Sequence, residues 1–544
     1  MPKTKSLILA HWYVAFAALF VGVYYGLRQS MARAGILAQY DYYKGLTVHG
    51  VLNALVFTTL FIAGFLYLTT ETSLKRQLKH YSLAWLSFFL MLAGTLTAAV
   101  TILKGDASVL YTFYPPLRAH AAFYIGLTVV VVGSWLAGAE VFLTYRAWRK
   151  DNPSARIPLM FVGTATTYIL WFIATIGVAA EMLFLLIPWS LGFTSEVNPL
   201  LARTLFWYFG HPLVYFWLLP AYLTWYTIVP RIAGGKLYSD PMARVAFILF
   251  ILFSVPVGTH HQFADPGIST NWKAFHAFLT FLVAFPSLLT AFNLAASLEY
   301  AGRKRGGSGL FGWWSKLPYG DPAFAAFFSS MFLFIWGGIS GIVNASYNVN
   351  IVVHNTSFLF GHFHLTLGSA VALTFMGLVY LIYPRLTSKE LWGRGLAVLQ
   401  AYLWLIGMLI FSFSNMAAGR LGVPRRTNLG LSPEGYDFGP LVHFLEKVSF
   451  VGGIILYASS LLFFIVFLGT IFCGKKTEPK EEIIPVTECY QSVDEAPRVL
   501  DSWKVWLSIA VVLVLIAYVP LLIQVVGASK SVPGFYPNIP TPLK

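Results

Sequence analysis

The sequence predicts an all-α polytopic membrane protein, and three observations carry that prediction. Of its 544 residues, 57% are hydrophobic and 11% charged, where a soluble domain would carry about 25% charged residues. The mean hydropathy is +0.69. Apolar runs of about 20 residues, long enough to cross a hydrocarbon core, recur along the chain. No repeat or low-complexity tract interrupts them, so residues 1–544 read as a single transmembrane domain.

Taken in order, the spans are expected at 8–29, 47–70, 81–103, 119–145, 159–188, 205–229, 245–265, 274–298, 322–345, 354–384, 395–419, 440–472 and 505–528, about thirteen helices. The first follows Lys3 and Lys5 and has no small-residue cleavage site near its end, so it is expected to be retained. With the N-terminus in the cytoplasm, 24 of the 37 Lys and Arg fall on the inner side and 13 outside. The positive-inside rule therefore puts the N-terminus in and, after an odd number of spans, the C-terminus out. The net charge of +15 then belongs to loops facing an anionic leaflet, with no call for nucleic acid. One sizeable polar segment remains, 474–503, with Lys475, Lys476, Glu481 and Glu482, read as a cytoplasmic loop. Cys473 and Cys489 match neither a metal motif nor a secreted disulfide framework.

Histidine inside the spans points to chemistry, because ionisable groups at membrane depth are costly and by default functional. His362 and His364 sit in an apolar stretch with no charged residue between His354 and Arg385. Two positions apart on a helix is about 200°, so their imidazoles leave opposite faces and one helix can serve two metal centres. His49, His211, His260 and His261 fall at about the same depth, about 10–15 Å into the outer half at the helical rise. Adjacent His260 and His261 can converge on one ion if a third ligand approaches from a neighbouring helix, and His211 is the candidate. Three neutral imidazoles with an open position suit copper or zinc acting on a small ligand. Haem iron takes axial imidazoles. His49 with one member of the His-Phe-His pair could clamp an electron-transferring haem, and the other member could hold a haem with a free sixth site facing the three-His ion. Iron facing copper is a site for reducing a diatomic.

Tyr215 lies four residues after His211, one turn deeper on the same face. Splitting O=O in one step takes four electrons, and a phenol beside the copper can supply the fourth together with its proton. Tyr222 and Tyr226 extend the stripe, where hydroxyls could carry protons inward; anchoring at the membrane interface is the plain alternative.

Five runs carry a resemblance: Gly45-Leu-Thr-Val-His-Gly-Val-Leu-Asn53, Gly210-His-Pro-Leu-Val-Tyr215, His260-His-Gln-Phe-Ala-Asp-Pro-Gly267, Gly361-His-Phe-His364 and Val423-Pro-Arg-Arg426. With Tyr111-Thr-Phe-Tyr-Pro-Pro116, the chain resembles the catalytic subunit I of the haem-copper oxygen reductases, B family, the ba-type cytochrome c oxidases. The resemblance implies a subunit I bundle in a prokaryotic plasma membrane that pumps protons while reducing O2 to water. It implies that His49 and His364 bind a low-spin haem, His362 a high-spin five-coordinate haem, and His211, His260 and His261 copper B. Tyr215 would be a redox tyrosine cross-linked to a copper-ligating histidine, and Arg425 and Arg426 would pair with haem propionates. The implied partners are cytochrome c, O2, a subunit II carrying a dinuclear copper centre, and room for a further small membrane subunit.

Two departures sharpen the expectation. Leu213 stands where the A family carries a glutamate that ends a second proton channel, so one channel must serve both chemistry and pumping. The resemblance routes it along Ser239, Tyr226, Thr290, Tyr222 and Ser287 to Tyr215, entered beside a glutamate of subunit II. Asn350 stands where some relatives carry an acidic residue on the exit side. A nitric oxide reductase shares the six-His framework but lacks the tyrosine; a quinol oxidase shares the ligands and lacks the dinuclear copper partner; a histidine-lined metal or proton transporter would need no haem.

Overall fold

Inside a bilayer a backbone amide has no water to bond, so each apolar run closes its own hydrogen bonds as a helix. A computed structural model, describing residues 2–37, 41–429, 438–528 and 532–533, shows thirteen long helices among the described residues. They are α1 Thr4–Arg33, α2 Tyr42–Leu74, α3 Tyr81–Leu103, α4 Ala121–Asp151, α5 Leu159–Ser190, α6 Pro199–Thr227, α7 Asp240–Ser254, α8 Thr270–Lys304, α9 Pro322–Ala345, α10 Phe358–Thr387, α11 Arg394–Arg420, α12 Pro440–Cys473 and α13 Trp503–Ala528. Eleven of these are long and apolar enough to cross a membrane by that measure alone. The other two are α6, whose Trp, Tyr and two internal prolines dilute its hydropathy although it is mostly buried, and α7, which has only 15 residues.

The helices start where local chemistry caps them. Asp41 accepts a hydrogen bond from the Lys44 amide and opens α2 five residues before the expected start. Asn198 followed by Pro199 opens α6, and Ser239, whose hydroxyl accepts from the Met242 amide, opens α7. α3 packs along α4, α5 along α6 and α11 along α12. Of the eleven, α2 and α10 are the most enclosed, running through the core with aromatic stacks such as Phe61 on Phe375 at 4.2 Å.

Two expected spans are corrected. A continuous helix over 245–265 does not form: α7 ends at Ser254, and the chain re-enters a tight 3-10 turn over Gly258–Gln262. Pro256 lacks an N–H and Gly258 follows two residues later, so the α-helical ladder cannot continue. The span expected over 354–384 begins at Phe358, after a separate short helix Tyr347–Val353. α8 likewise breaks at Val283, three residues before Pro286.

The 474–503 segment is docked across one end of the bundle. Its strand Cys489–Gln491 pairs in parallel with Leu237–Ser239. Glu482 takes Arg231 in a two-pronged grip at 2.6 and 2.7 Å. Asp501 forms an ion pair with Arg156 and accepts from Arg244, the latter also paired with Asp240 and donating to the Ile157 carbonyl at 2.6 Å. Cys473 and Cys489 are free thiols.

Arg244 and Asp240 are buried, and removing one member of a buried pair leaves an uncompensated charge costing about 3–5 kcal/mol. Arg244→Met is therefore expected to lower the melting temperature of the purified protein markedly. Asp501→Asn, which leaves Arg244 on Asp240, is expected to lower it less.

Candidate functional site

All six histidines line one cavity of about 620 Å³, with Tyr215, Arg425 and Arg426 on its wall. Their orientations follow from what their Nδ1 atoms bond. His49, on α2, donates from Nδ1 to the Gly22 carbonyl at 2.8 Å, with Asn53 at 3.1 Å on the same atom. α1 comes this close because Gly22 and Gly26 carry no side chain: a Cβ on Gly26 would lie 2.8 Å from the His49 ring, and one on Gly22 would overlap Asn53. His364, on α10, donates from Nδ1 to the Phe360 carbonyl at 2.7 Å. Both rings are therefore tied at Nδ1 and offer Nε2 to the cavity.

The His49 and His364 rings stand 6.0 Å apart at centroid and only 11° from parallel. Two metal–imidazole bonds of about 2.0 Å plus ring radii of about 1.2 Å place centroids about 6.4 Å apart, so the spacing would fit one haem iron held by both rings. His362 leaves α10 on another side, its Nδ1 facing the Gly337 carbonyl at 3.1 Å and the Ser340 hydroxyl at 3.0 Å on α9. The helical twist expected to separate His362 from His364 does so, toward α9 in one case and α2 and α11 in the other.

His211, His260 and His261 bring one ligand nitrogen each within 4.8 Å of the others. His260 donates from Nδ1 to Thr280 on α8 at 3.0 Å, and Thr280 in turn donates to the His276 carbonyl. His261 lies flat on Trp207 at 3.8 Å. His211 Nε2 and His261 Nε2 are buried with no hydrogen-bond partner. An orphaned buried nitrogen costs about 1–3 kcal/mol, which a bound metal ion offsets, and three converging imidazoles suit copper or zinc. The turn carrying His260 and His261 is pinned by Tyr518 of α13, which accepts from the Gly258 amide at 2.9 Å; a Cβ on Gly258 would strike both Tyr518 and the Trp207 carbonyl. Tyr215 packs edge-on to His211 at 4.9 Å.

Arg425 and Arg426 share a loop against the cavity. Asn355 takes Arg425 through Oδ1 at 2.9 and 3.2 Å, while Arg426 lies over the Tyr111 and Tyr114 rings. Burial, with the neighbouring Arg426 guanidinium, pushes Arg425 down to about 9, and Arg426 Nη2 is buried without a partner. Two half-buried guanidinium groups side by side call for an anion, and a carboxylate of a haem propionate meets that need.

The tyrosine stripe is hydrogen-bonded sideways into α8. Tyr226 and Thr290 lie at 2.5 Å, and Tyr222 donates to Ser287 at 3.1 Å. Tyr215 and Tyr222 both pack on Phe250. Ser239 stands apart: its hydroxyl donates to Gln491 of the docked segment at 2.5 Å, and its amide donates to Asn293 at 3.0 Å. Leu213 is buried. Asn350 accepts from His354 at 2.9 Å and donates to the Asn344 carbonyl.

Sequence reasoning missed the residues that orient the ligands: Gly22, Gly337, Ser340, Thr280, Trp207, Asn355 and Gln491. Asn53 was within reach of it, one turn after His49; the others come from remote segments and leave no local signature.

The cytochrome c and quinol oxidase polypeptide I family model matches residues 6–455. Cytochrome c oxidase subunit 1 of Thermus thermophilus is 43% identical, the alignment covering 98% of this chain and 97% of that one. More distant relatives include cytochrome c oxidase subunit 1 of Bacillus subtilis, 25% identical over 68% of this chain and 58% of its own. A probable quinol oxidase subunit 1 of Staphylococcus epidermidis is 25% identical over 78% of this chain and 63% of its own. Among solved structures, a haem-copper terminal oxidase dimer superposes with a TM-score of 0.94 at 42% identity, covering 99% of this chain and 96% of that one. A helical bundle of this design with six inward histidines, matched over nearly its whole length, belongs to the cytochrome c and quinol oxidase polypeptide I family, the catalytic subunit I of the haem-copper oxidases.

Proposed function

We propose that this subunit reduces O2 to water with electrons from cytochrome c, at a site built from its six histidines, and pumps protons as it does so. The sorting of those histidines carries the reading: a parallel pair 6.0 Å apart, a triad within 4.8 Å, and a single imidazole on another side of the same helix as one member of the pair. In this assignment His49 and His364 would hold a low-spin haem, His362 a high-spin haem, and His211, His260 and His261 copper B. When bound, these groups supply the electron transfer and the oxygen-reducing redox chemistry.

The chain's own residues do the rest. Nδ1 bonds to the Gly22 and Phe360 carbonyls hold the His49 and His364 rings nearly parallel, so that both would hold the one low-spin haem. His362 is tied to α9, where it would hold the high-spin haem by itself. Thr280 and Trp207 keep His260 and His261 turned inward. Tyr215, beside His211, is placed to give a proton from Oη, and with it an electron, to a substrate in the cavity. Arg425 and Arg426 hold haem propionates.

Positive-inside orientation puts the 474–503 end in the cytoplasm, so the Tyr226–Thr290 and Tyr222–Ser287 pairs lead from that side toward Tyr215. With Leu213 closing the alternative route, this one path feeds both oxygen reduction and pumping. Ser239 begins the path. The Arg425 end then faces outward, where a subunit II bearing a dinuclear copper would receive cytochrome c.

Three outcomes test this. His49→Ala and His364→Ala each are expected to abolish the low-spin haem spectrum, since one axial site is left empty. His260→Ala or His261→Ala is expected to lose copper by metal analysis while both haems stay, and full copper in either variant contradicts the triad. Tyr226→Phe keeps the ring and deletes one hydroxyl, so haem and copper contents stay unchanged. Its oxygen consumption is expected to fall at least tenfold, because a positioned proton-transfer group contributes about 100-fold or more, with pumping falling in parallel.

A further inference from the structure

Arg33 ends α1 at the Arg425 side of the bundle, and its side chain is only 8% exposed, paired with Glu446 of α12 at 6%. The pairing is a two-pronged fork, Nη2 to Oε1 at 2.6 Å and Nε to Oε2 at 3.2 Å. The remaining arm, Nη1, donates to the Thr427 carbonyl at 3.2 Å and the Pro424 carbonyl at 3.4 Å. Those two carbonyls bracket Arg425 and Arg426. Arg33 also lies over the Phe360 ring at 5.1 Å, and Phe360 lends His364 its carbonyl.

The arginine loop is fastened on its other flank by Asn355, which accepts from the Arg425 amide at 2.9 Å, and by Ser357, whose amide donates to Val423 at 2.8 Å. Arg426 itself holds a left-handed backbone at φ +60°, a strained conformation for a residue with a side chain. Surroundings must impose it. Arg33 spans the flank the other ties leave free, and it borders the haem cavity with Glu446.

We propose that the Arg33–Glu446 pair is a positioning device for the haem-propionate clamp: it holds the carbonyls on either side of Arg425 and Arg426 so that both guanidinium groups stay on the propionates of the low-spin haem. This rests on the reading of Arg425 and Arg426 as propionate partners. Arginine alone can do this, because a planar fork grips one carboxylate while a third nitrogen reaches a second set of acceptors; lysine offers one point charge. Guanidinium groups held near the propionates offset negative charge beside the iron and so favour the reduced haem. Loosening the loop moves them away and disfavours it.

The test is spectroelectrochemical titration of the low-spin haem in the purified holoenzyme, using variants that keep local net charge. Arg33→Leu with Glu446→Leu replaces a buried pair by apolar bulk, a change that can leave stability unaffected. Arg33→Lys keeps the ion pair and loses the fork, which guards against misfolding of the double variant. A downward shift of the low-spin midpoint potential is expected in both, larger in the double variant, with the high-spin haem and copper retained. Arg426→Leu serves as the reference and is expected to shift the same potential downward. If Arg426→Leu lowers the potential while both charge-conserving variants titrate as wild type, the positioning role is overturned and the propionate reading stands. If Arg426→Leu also leaves the potential unmoved, the propionate reading falls and the positioning role with it.

Discussion

Four imidazoles in the cavity are aimed by hydrogen bonds, three of them to neighbouring backbone carbonyls and one to a threonine. Buried polar atoms left without partners cost about 1–3 kcal/mol each, and inside a membrane no water makes up the loss. The carbonyls of Gly22, Phe360 and Gly337 take up the Nδ1 atoms of His49, His364 and His362, while Thr280 takes up that of His260. The Nε2 atoms of His211 and His261 and the Arg426 Nη2 are among the buried atoms left without a partner, and these three residues line the cavity.

Two helical irregularities fall beside these histidines. A π-helical stretch follows His49 over Val51–Phe57, and another begins at His364 and runs to Val371. Such wide turns shift the register of the side chains on either side and gather at functional sites. The 3-10 turn carrying His260 and His261 does the same for the third group of ligands, re-aiming two adjacent residues that a continuous α7 would have splayed along its surface.

Much of this was legible in the sequence, and the reasons differ by feature. Apolar run length located the helices because hydrocarbon thickness fixes it. Histidine depth and the two-residue spacing of His362 and His364 singled out the histidines that line the cavity, since helical twist is a local property. The break at Pro256 was written in the chain but overridden by the apolar run around it. The partners of the ligands were hidden, because Gly22 meets His49, and Thr280 meets His260, only after distant segments pack. The placement of Ser239 against Gln491 was hidden for the same reason: a strand pairing between segments 252 residues apart leaves no local periodicity. The 474–503 segment, read simply as a polar loop, is bound to the bundle by a strand and by ion pairs, one of them to buried Arg244.

The central claim is that one cavity holds two haems in different coordination states, one closed between His49 and His364 and one held by His362 alone. Adding carbon monoxide to the fully reduced, purified protein tests it directly, because the gas binds only iron with an open axial position. The account predicts that half of the haem shifts its absorption spectrum and half does not. Binding to all of the haem, or to none, would contradict it.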